Sequence, residues 1–127
     1  MLKELSFHIP NLYRHLSLSV FLQYNYEITK ICNVSKNSFN PIPKVDSMVI
    51  KLKKTKKYKN TCKNEQIFYK LVKDAFKQKR KNLRNNLKNY NNLIIEEVLN
   101  KYNKNMSKRA EEIEIEEFID ISNKLSS

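Results

Sequence analysis

Ala75-Phe76-Lys77-Gln78-Lys79-Arg80-Lys81-Asn82-Leu83-Arg84-Asn85-Asn86-Leu87 packs five cations into the eight residues from Lys77 to Arg84 while keeping Phe76, Leu83 and Leu87 apolar. Phe76 and Leu83 are seven apart and Leu83 and Leu87 four apart, so the spacing predicts one helical stripe with the cations on the opposite face. A helix of that layout rests on a core and turns a positive ridge toward a polyanion. The simpler reading is a solvated, lysine-rich face. Two features weigh against it. Arg80 and Arg84 fall one helical turn apart, which would align two planar guanidinium forks on successive phosphates. The amides of Asn82, Asn85 and Asn86 can donate to and accept from phosphate, sugar or base edges.

Working upstream, Ile67, Phe68, Leu71, Val72, Ala75 and Phe76 form an amphipathic stripe, with Asn64 as N-cap and Glu65 at the positive helix end. The basic stretch continues this helix, with a break near Lys81. Downstream, a helix over 92–102 is expected from Leu93, Ile94, Val98 and Leu99. Residues 103–106 turn the chain, and Ser107 caps a short turn through Ala110. A last helix over 115–125 points Phe118, Ile119, Ser122 and Leu125 inward, with Glu114, Glu116 and Glu117 at its start. Residues 64–127 thus read as a helical bundle with a basic front and an acidic tail.

Lys53 to Lys63 is lysine-rich without apolar periodicity and marks the domain boundary. Before it, Val45 to Leu52 alternates as a strand, with Met48, Ile50 and Leu52 on one face. Ser35 to Pro43 is a connection with turn chemistry at Ser35-Lys36-Asn37-Ser38, followed by a piece that two prolines should keep rigid and extended and that carries the aromatic Phe39. Glu27 to Val34 reads as a strand through Ile28, Ile31 and Val34, and Leu16 to Tyr26 as a helix through Leu18, Phe21 and Leu22. Met1 to Leu5 is expected to end a helix, with Ile9-Pro10-Asn11 a turn or extended link. Two strands, both read as buried, are rarely stable without more sheet, so residues 1–52 should lean on structure supplied from elsewhere.

Composition narrows the chemistry. A net charge of +12 over 127 residues points to RNA, DNA or an anionic surface. Cys32 and Cys62 lack metal-ligand spacing and His8 and His15 lack partners, so neither a metal site nor an acid–base pair is expected. No stretch has the length of a membrane span or the pattern of a signal peptide, which makes a cytoplasmic protein the default. The chain contains no glycine. Phosphate-cradling and dinucleotide-type loops need glycine for positive φ and close backbone approach, so a nucleotide or S-adenosyl cofactor should not be held by this chain alone.

Four segments together resemble the ribosomal RNA adenine dimethyltransferases of the KsgA type. Phe39-Asn40-Pro41-Ile42-Pro43-Lys44-Val45-Asp46-Ser47 resembles their F-x-P-x-P-K-V-x-S signature. Ala75 to Leu87 is similar to A-F-x-Q-R-R-K-x-L-R-N-x-L. Lys108-Arg109-Ala110-Glu111 followed by Glu116-Glu117-Phe118 is similar to R-A-E-x-L-S-x-E-E-F, and Ser19 to Tyr24 matches S-V-x-x-Q-Y. They occur in the family's order and spacing. The resemblance implies an α+β fragment: two strands and a helix from the end of a Rossmann-like methyltransferase domain (1–52), a basic linker (53–63) and a helical rRNA-binding domain (64–127).

Such enzymes transfer methyl groups from S-adenosylmethionine to N6 of two adjacent adenines in a small-subunit rRNA hairpin. By the resemblance, Phe39 lies against the flipped target adenine, and Lys77, Lys79, Arg80, Lys81, Arg84 and Asn85 contact RNA. The implied partners are small-subunit rRNA or a pre-ribosomal particle, together with a separate N-terminal methyltransferase half. The family's acidic-glycine cofactor loop and N-(I/L)-P-(Y/F) motif are absent. Ile9-Pro10-Asn11-Leu12-Tyr13 has similar letters in the wrong order and position. His15-Leu16-Ser17-Leu18 stands where Y-G-R-L is usual, and Lys79 replaces the first arginine of the R-R pair. Methyl transfer by this chain alone is therefore not expected. The alternatives are a non-catalytic RNA-binding or ribosome-assembly module and, more remotely, a DNA-binding transcription-factor relative of the family.

Overall fold

The computed structural model describes the backbone of residues 4–10 and, with side chains, residues 16–38, 40–42 and 46–126. Three strands and a helix form its first part: β1 (Glu4–Pro10), α1 (Ser17–Asn25), β2 (Tyr26–Val34) and β3 (Ser47–Lys54). The sheet order is β1-β3-β2, with β3 antiparallel to both neighbours. The two outer strands therefore run parallel to each other, joined through α1, with β3 inserted between them as in a split βαβ unit.

This is a small α+β fold with one strand more than expected. The helix end expected at Met1 to Leu5 is not found where the chain is described. Glu4–Pro10 is a strand, and Met1–Lys3 lie outside the described residues. Leu5, Phe7 and Ile9 alternate with Ser6 and His8, and the segment finds its backbone partners along β3, from Glu4 opposite Lys53 to Pro10 opposite Ser47. Ile9 and Pro10, expected in a turn or an extended link, close this strand. β3 starts later than expected and runs on through Lys53 and Lys54, so the strand takes the first residues assigned to the linker. Met48, Ile50 and Leu52 are buried on one face against Leu22, Tyr26 and Ile28.

β2, expected to be buried, is largely exposed. Its pairing with β3 slips between Lys30 and Cys32. The extra residue at that irregularity is Ile31, which is 52% exposed; it lies three residues after Ile28, so pleat alternation already sets it on the face away from Ile50 and Leu52. The connection after β2 begins with a turn, as the Ser35-Lys36-Asn37-Ser38 stretch leads one to expect. Lys36–Ser38 make a 3₁₀ turn, and the Lys36 amide donates to Asp46 Oδ1 at 2.8 Å.

The second part comprises α2 (Glu65–Ala75), α3 (Leu83–Asn86), α4 (Asn92–Lys101) and α5 (Ile115–Leu125). Asn64 caps α2 as expected, its side chain accepting from the Gln66 and Ile67 amides. Phe68, Leu71, Leu83, Leu87, Val98 and Phe118 are among the fully buried side chains. Burying Phe68 or Phe118 stabilises the fold by about 2–3 kcal/mol each. On α4 the inward residues are Ile95, Val98 and Leu99, whereas Leu93, expected inside, is 80% exposed. An i, i+3, i+4 stripe beginning at Ile95 leaves Leu93 on the outer face. Ser107 bonds to Asn105 rather than capping. Arg109 stands before the 3₁₀ turn Ala110–Glu112, and Glu112 Oε2 accepts from its amide at 2.8 Å.

The helical core reaches back across the linker. Val20 and Tyr24 of α1 belong to it, with the Tyr24 ring 4.9 Å from that of Phe68, while Leu22 faces the sheet. α1 thus serves two cores at once, and its buried residues are Ser19, Val20 and Tyr24; Leu18, expected inside, is 45% exposed. The linker itself is pinned. Thr55 N donates to Asn25 O at 3.1 Å, Lys63 N to Asn123 Oδ1 at 2.8 Å and Asn123 Nδ2 to Thr61 O at 2.9 Å. The Tyr58 hydroxyl donates to Glu116 Oε1 at 2.7 Å, tying the linker to the first turn of α5.

The acidic start of α5 is only partly a solvated face. The Glu117 side chain is 4% exposed, and its Oε1 lies 2.6 Å from Lys104 Nζ, which also donates to the Glu112 carbonyl at 2.8 Å. The ammonium closes the loop after α4 onto α5. No helix among the described residues is long and apolar enough to cross a membrane.

Candidate nucleic-acid interface

The basic stretch is broken, as expected, but the break comes earlier than Lys81. α2 ends at Ala75, residues 76–81 form a turn, and α3 starts afresh at Leu83. Three sets of hydrogen bonds impose the break. Asn86 Nδ2 donates to Ala75 O at 2.8 Å, taking up a carbonyl at the end of α2, and to Gln78 O at 3.1 Å within the turn. Asn82 caps α3, accepting from the Asn85 amide at 3.0 Å. The Leu83 and Arg84 amides donate to Lys108 O and Met106 O at 2.9 and 3.0 Å. Leu83 and Leu87 plunge fully into the core, while Phe76 stays half-buried against it. The apolar assignments therefore hold although the shared helical stripe does not.

Lys77, Lys79, Arg80 and Lys81 all stand exposed on this turn. None of them takes part in an ion pair among the described residues. Arg84 differs. It lies on α3, and its Nη2 donates to Glu96 Oε1 at 3.0 Å, so its fork is partly committed and it does not stack one helical turn after Arg80. The asparagine amides are also engaged: Asn82 in the cap, Asn86 on the Ala75 and Gln78 carbonyls, and Asn85, itself exposed, donating from Nδ2 to Asn82 Oδ1 at 3.0 Å. Phe39 lies outside the described residues.

Arg109 belongs to the closing motif but was not among the expected RNA contacts. It borders the same hollow as Lys79 and Lys81, with Phe76 and Glu111. From there a groove of ≈ 260 Å³ runs along the seam between α1 and the helical part, bordered by Ser19, Gln23, Phe76, Glu111 and Glu114. A second groove of ≈ 340 Å³ shares Gln23 and continues past Tyr26, Glu27, Ile28, Lys57 and Tyr58. The tyrosines near this seam are held neutral. Burial first, then the bond to Glu116, pushes Tyr58 up to about 12, and burial with the neighbouring Glu65 and Cys62 drives Tyr24 well above the usual phenol range. Cys32 is exposed and Cys62 half-buried, both as free thiols, and burial pushes the Cys62 thiol up. Among the described residues no group of three or more His, Cys, Asp or Glu side chains could hold a metal.

A pinned row of exposed cations with an adjoining groove is suited to phosphate contact and offers no nucleophile with a base. Comparison with known proteins bears on whose phosphates. Residues 6–127 match the family model described as ribosomal RNA adenine dimethylase. The chain is 45% identical over 118 residues to the ribosomal RNA small subunit methyltransferase A of Phytoplasma australiense, covering 89% of this chain and 42% of that protein. Against the protein of the same name from Hydrogenovibrio crunogenus it is 39% identical over 114 residues, covering 90% and 42%. The chain thus spans less than half the length of these curated relatives. Among solved structures, a dimethyladenosine transferase from Plasmodium falciparum superposes with TM-score 0.59 at 21% identity, covering 94% of this chain and 55% of that one. The 23S rRNA methyltransferase ErmE gives 0.66 at 15% identity, covering 98% and 55%. At those identities the superpositions speak for the fold.

Proposed function

Since the chain belongs to the ribosomal RNA adenine dimethylase family, we propose that it is the RNA-gripping portion of a small-subunit rRNA adenine N6,N6-dimethyltransferase. The observation that carries this reading is the turn 76–81, whose four exposed cations have no ion-pair partner among the described residues while its backbone is tied down by Asn86. Lys77, Lys79, Arg80 and Lys81 take phosphates. The turn is already ordered, so binding loses little backbone entropy. Arg84 joins only by loosening its pair with Glu96, and Asn85 contributes its carbonyl edge. Arg109, beside Lys79 and Lys81, adds a second planar fork. Phe39 stacks on the target adenine, as the family resemblance implies.

S-adenosylmethionine is the family's methyl donor. We expect no cradle for it in this chain, which has no glycine; the left-handed residues among those described, Asn60 and Asn103, border neither groove. β1 is an edge strand of the sheet, with one side of its backbone paired to β3 and no strand on the other side among the described residues. That other side is where a donor-holding half, on whichever polypeptide carries it, would add its strand. A second reading, a non-catalytic RNA-binding or ribosome-assembly module, is favoured by the total lack of glycine. Titrating the chain with a small-subunit rRNA hairpin tests the common part of both. Binding that weakens when Arg80 and Lys81 become glutamine supports it, and binding indifferent to that change overturns it.

A further inference from the structure

Lys53, Lys54, Lys56, Lys57 and Lys59 are all exposed, and none forms an ion pair among the described residues. The segment that carries them is not a loose tether. Lys53 and Lys54 end β3, and Thr55 N is bonded to Asn25 O. The Lys59 amide donates to Lys56 O at 3.0 Å, Asn60 adopts left-handed backbone at φ 65°, and the Tyr58 hydroxyl is fastened to Glu116. Lys57 Nζ lies 5.3 Å from the centre of the Tyr58 ring. The backbone is fixed, and the cations project from it.

Position relative to the 76–81 turn gives this cluster a role. The hollow at Lys79, Lys81 and Arg109 shares Phe76, Ala110 and Glu111 with the ≈ 260 Å³ groove. That groove shares Gln23 with the ≈ 340 Å³ groove that Lys57 and Tyr58 border. The two basic turns therefore open onto opposite ends of one seam. The seam also carries carboxylates: Glu114 on the middle groove, Glu111 on that groove and on the hollow with Lys79, Lys81 and Arg109, and Glu27 on the groove with Lys57. Phosphates are attracted to the exposed cations of the two basic turns and repelled from the seam wall that joins them. A flat anionic bilayer would meet the carboxylates together with the lysines, whereas a folded RNA can bridge from one basic end to the other.

We propose that residues 53–59 form a second phosphate-contacting surface for the same RNA, which lies across the seam with one basic turn at each end. This rests on the reading of turn 76–81 as an RNA contact, and the experiment separates the two. The full chain, a variant with Lys53, Lys54, Lys56, Lys57 and Lys59 changed to glutamine, and a variant with Lys77, Lys79, Arg80 and Lys81 changed to glutamine are each bound to a small-subunit rRNA hairpin over a salt series. Hydroxyl-radical footprints are recorded on each complex. Because the substituted side chains are exposed, unchanged circular dichroism is expected for both variants.

The linker variant should lower the slope of log K against log salt by about two to four, at roughly one unit for each phosphate no longer neutralised. It should also lose one protected stretch of RNA, different from the stretch lost in the turn variant. A linker variant with wild-type slope and footprint, beside a turn variant that loses both, would overturn the second surface and leave the first. A turn variant with wild-type binding, beside a linker variant that loses it, would overturn the turn assignment instead. Lysine-dependent binding of phosphatidylserine vesicles without any change in RNA slope would also overturn the proposal.

Discussion

The Asn86 side-chain amide donates to the Ala75 carbonyl at 2.8 Å and so stops α2 just before the basic residues begin. Its second bond, to Gln78 O, holds the turn from inside. Removing the amide in Asn86→Ala should cost about 1–2 kcal/mol of stability for two hydrogen bonds. RNA affinity should fall several-fold while the salt slope stays the same, because every cation remains. Urea denaturation and a salt series measure the two effects, and a lowered slope would show that Asn86 itself meets a phosphate.

Lys104 and Glu117 form the most enclosed ion pair among the described residues, with side chains 23% and 4% exposed. Lys104→Met leaves a carboxylate in the core and should destabilise by about 3 kcal/mol, toward the lower end for a broken buried pair because the ammonium still reaches water. Changing Glu117 to Leu in that background should recover most of the loss. Thermal and urea melts of both variants are the check, and a double variant no more stable than the single one would show that the pair shapes the loop after α4 through more than charge.

The Tyr58–Glu116 bond predicts a stability contribution that is lost toward both pH extremes. The Tyr58 hydroxyl is the main cause that holds the Glu116 carboxyl below its usual value of 4.5, so its contribution is present above that pH and lost as acid protonates the folded carboxylate. Tyr58 is raised from 10.0 to about 12, so its contribution is present below pH 10 and lost as pH rises toward 12. Tyr58→Phe should therefore lower the melting temperature near neutrality and flatten the melting temperature–pH curve at both ends. Melts from pH 3 to 11 test the sign.

Much of the fold is legible in the sequence wherever local chemistry and packing agree. Asn64 caps α2, and Phe118, Ile119 and Ser122 face inward on α5, because caps and 3.6-residue periodicity act within one element. The basic stretch misleads because its periodicity suits a helix while the Asn86 and Asn82 side chains, bonded to the backbone, break it. Ile31 misleads because it lies three residues from Ile28, so pleat alternation sets the two on opposite faces, and the irregularity in pairing with β3 falls at Ile31 itself. β1 carries an alternating signal at Leu5, Phe7 and Ile9 that only long-range pairing turns into structure. Of the site, the cations are legible from composition. That Arg84 is engaged with Glu96 and that Arg109 joins Lys79 and Lys81 depends on tertiary contacts no local pattern encodes.

Calorimetry with S-adenosylmethionine should show no binding to this chain, since no glycine turn is present to approach the donor. Micromolar binding would place a donor site on residues where none is expected.

The most direct measurement compares the wild-type chain with Lys77, Lys79, Arg80 and Lys81 all changed to glutamine, each titrated with a small-subunit rRNA hairpin across a salt series. The expected result is a slope reduced by about two to four and an affinity lost most strongly at low salt. A variant whose slope and affinity match the wild type would contradict RNA recognition by this turn.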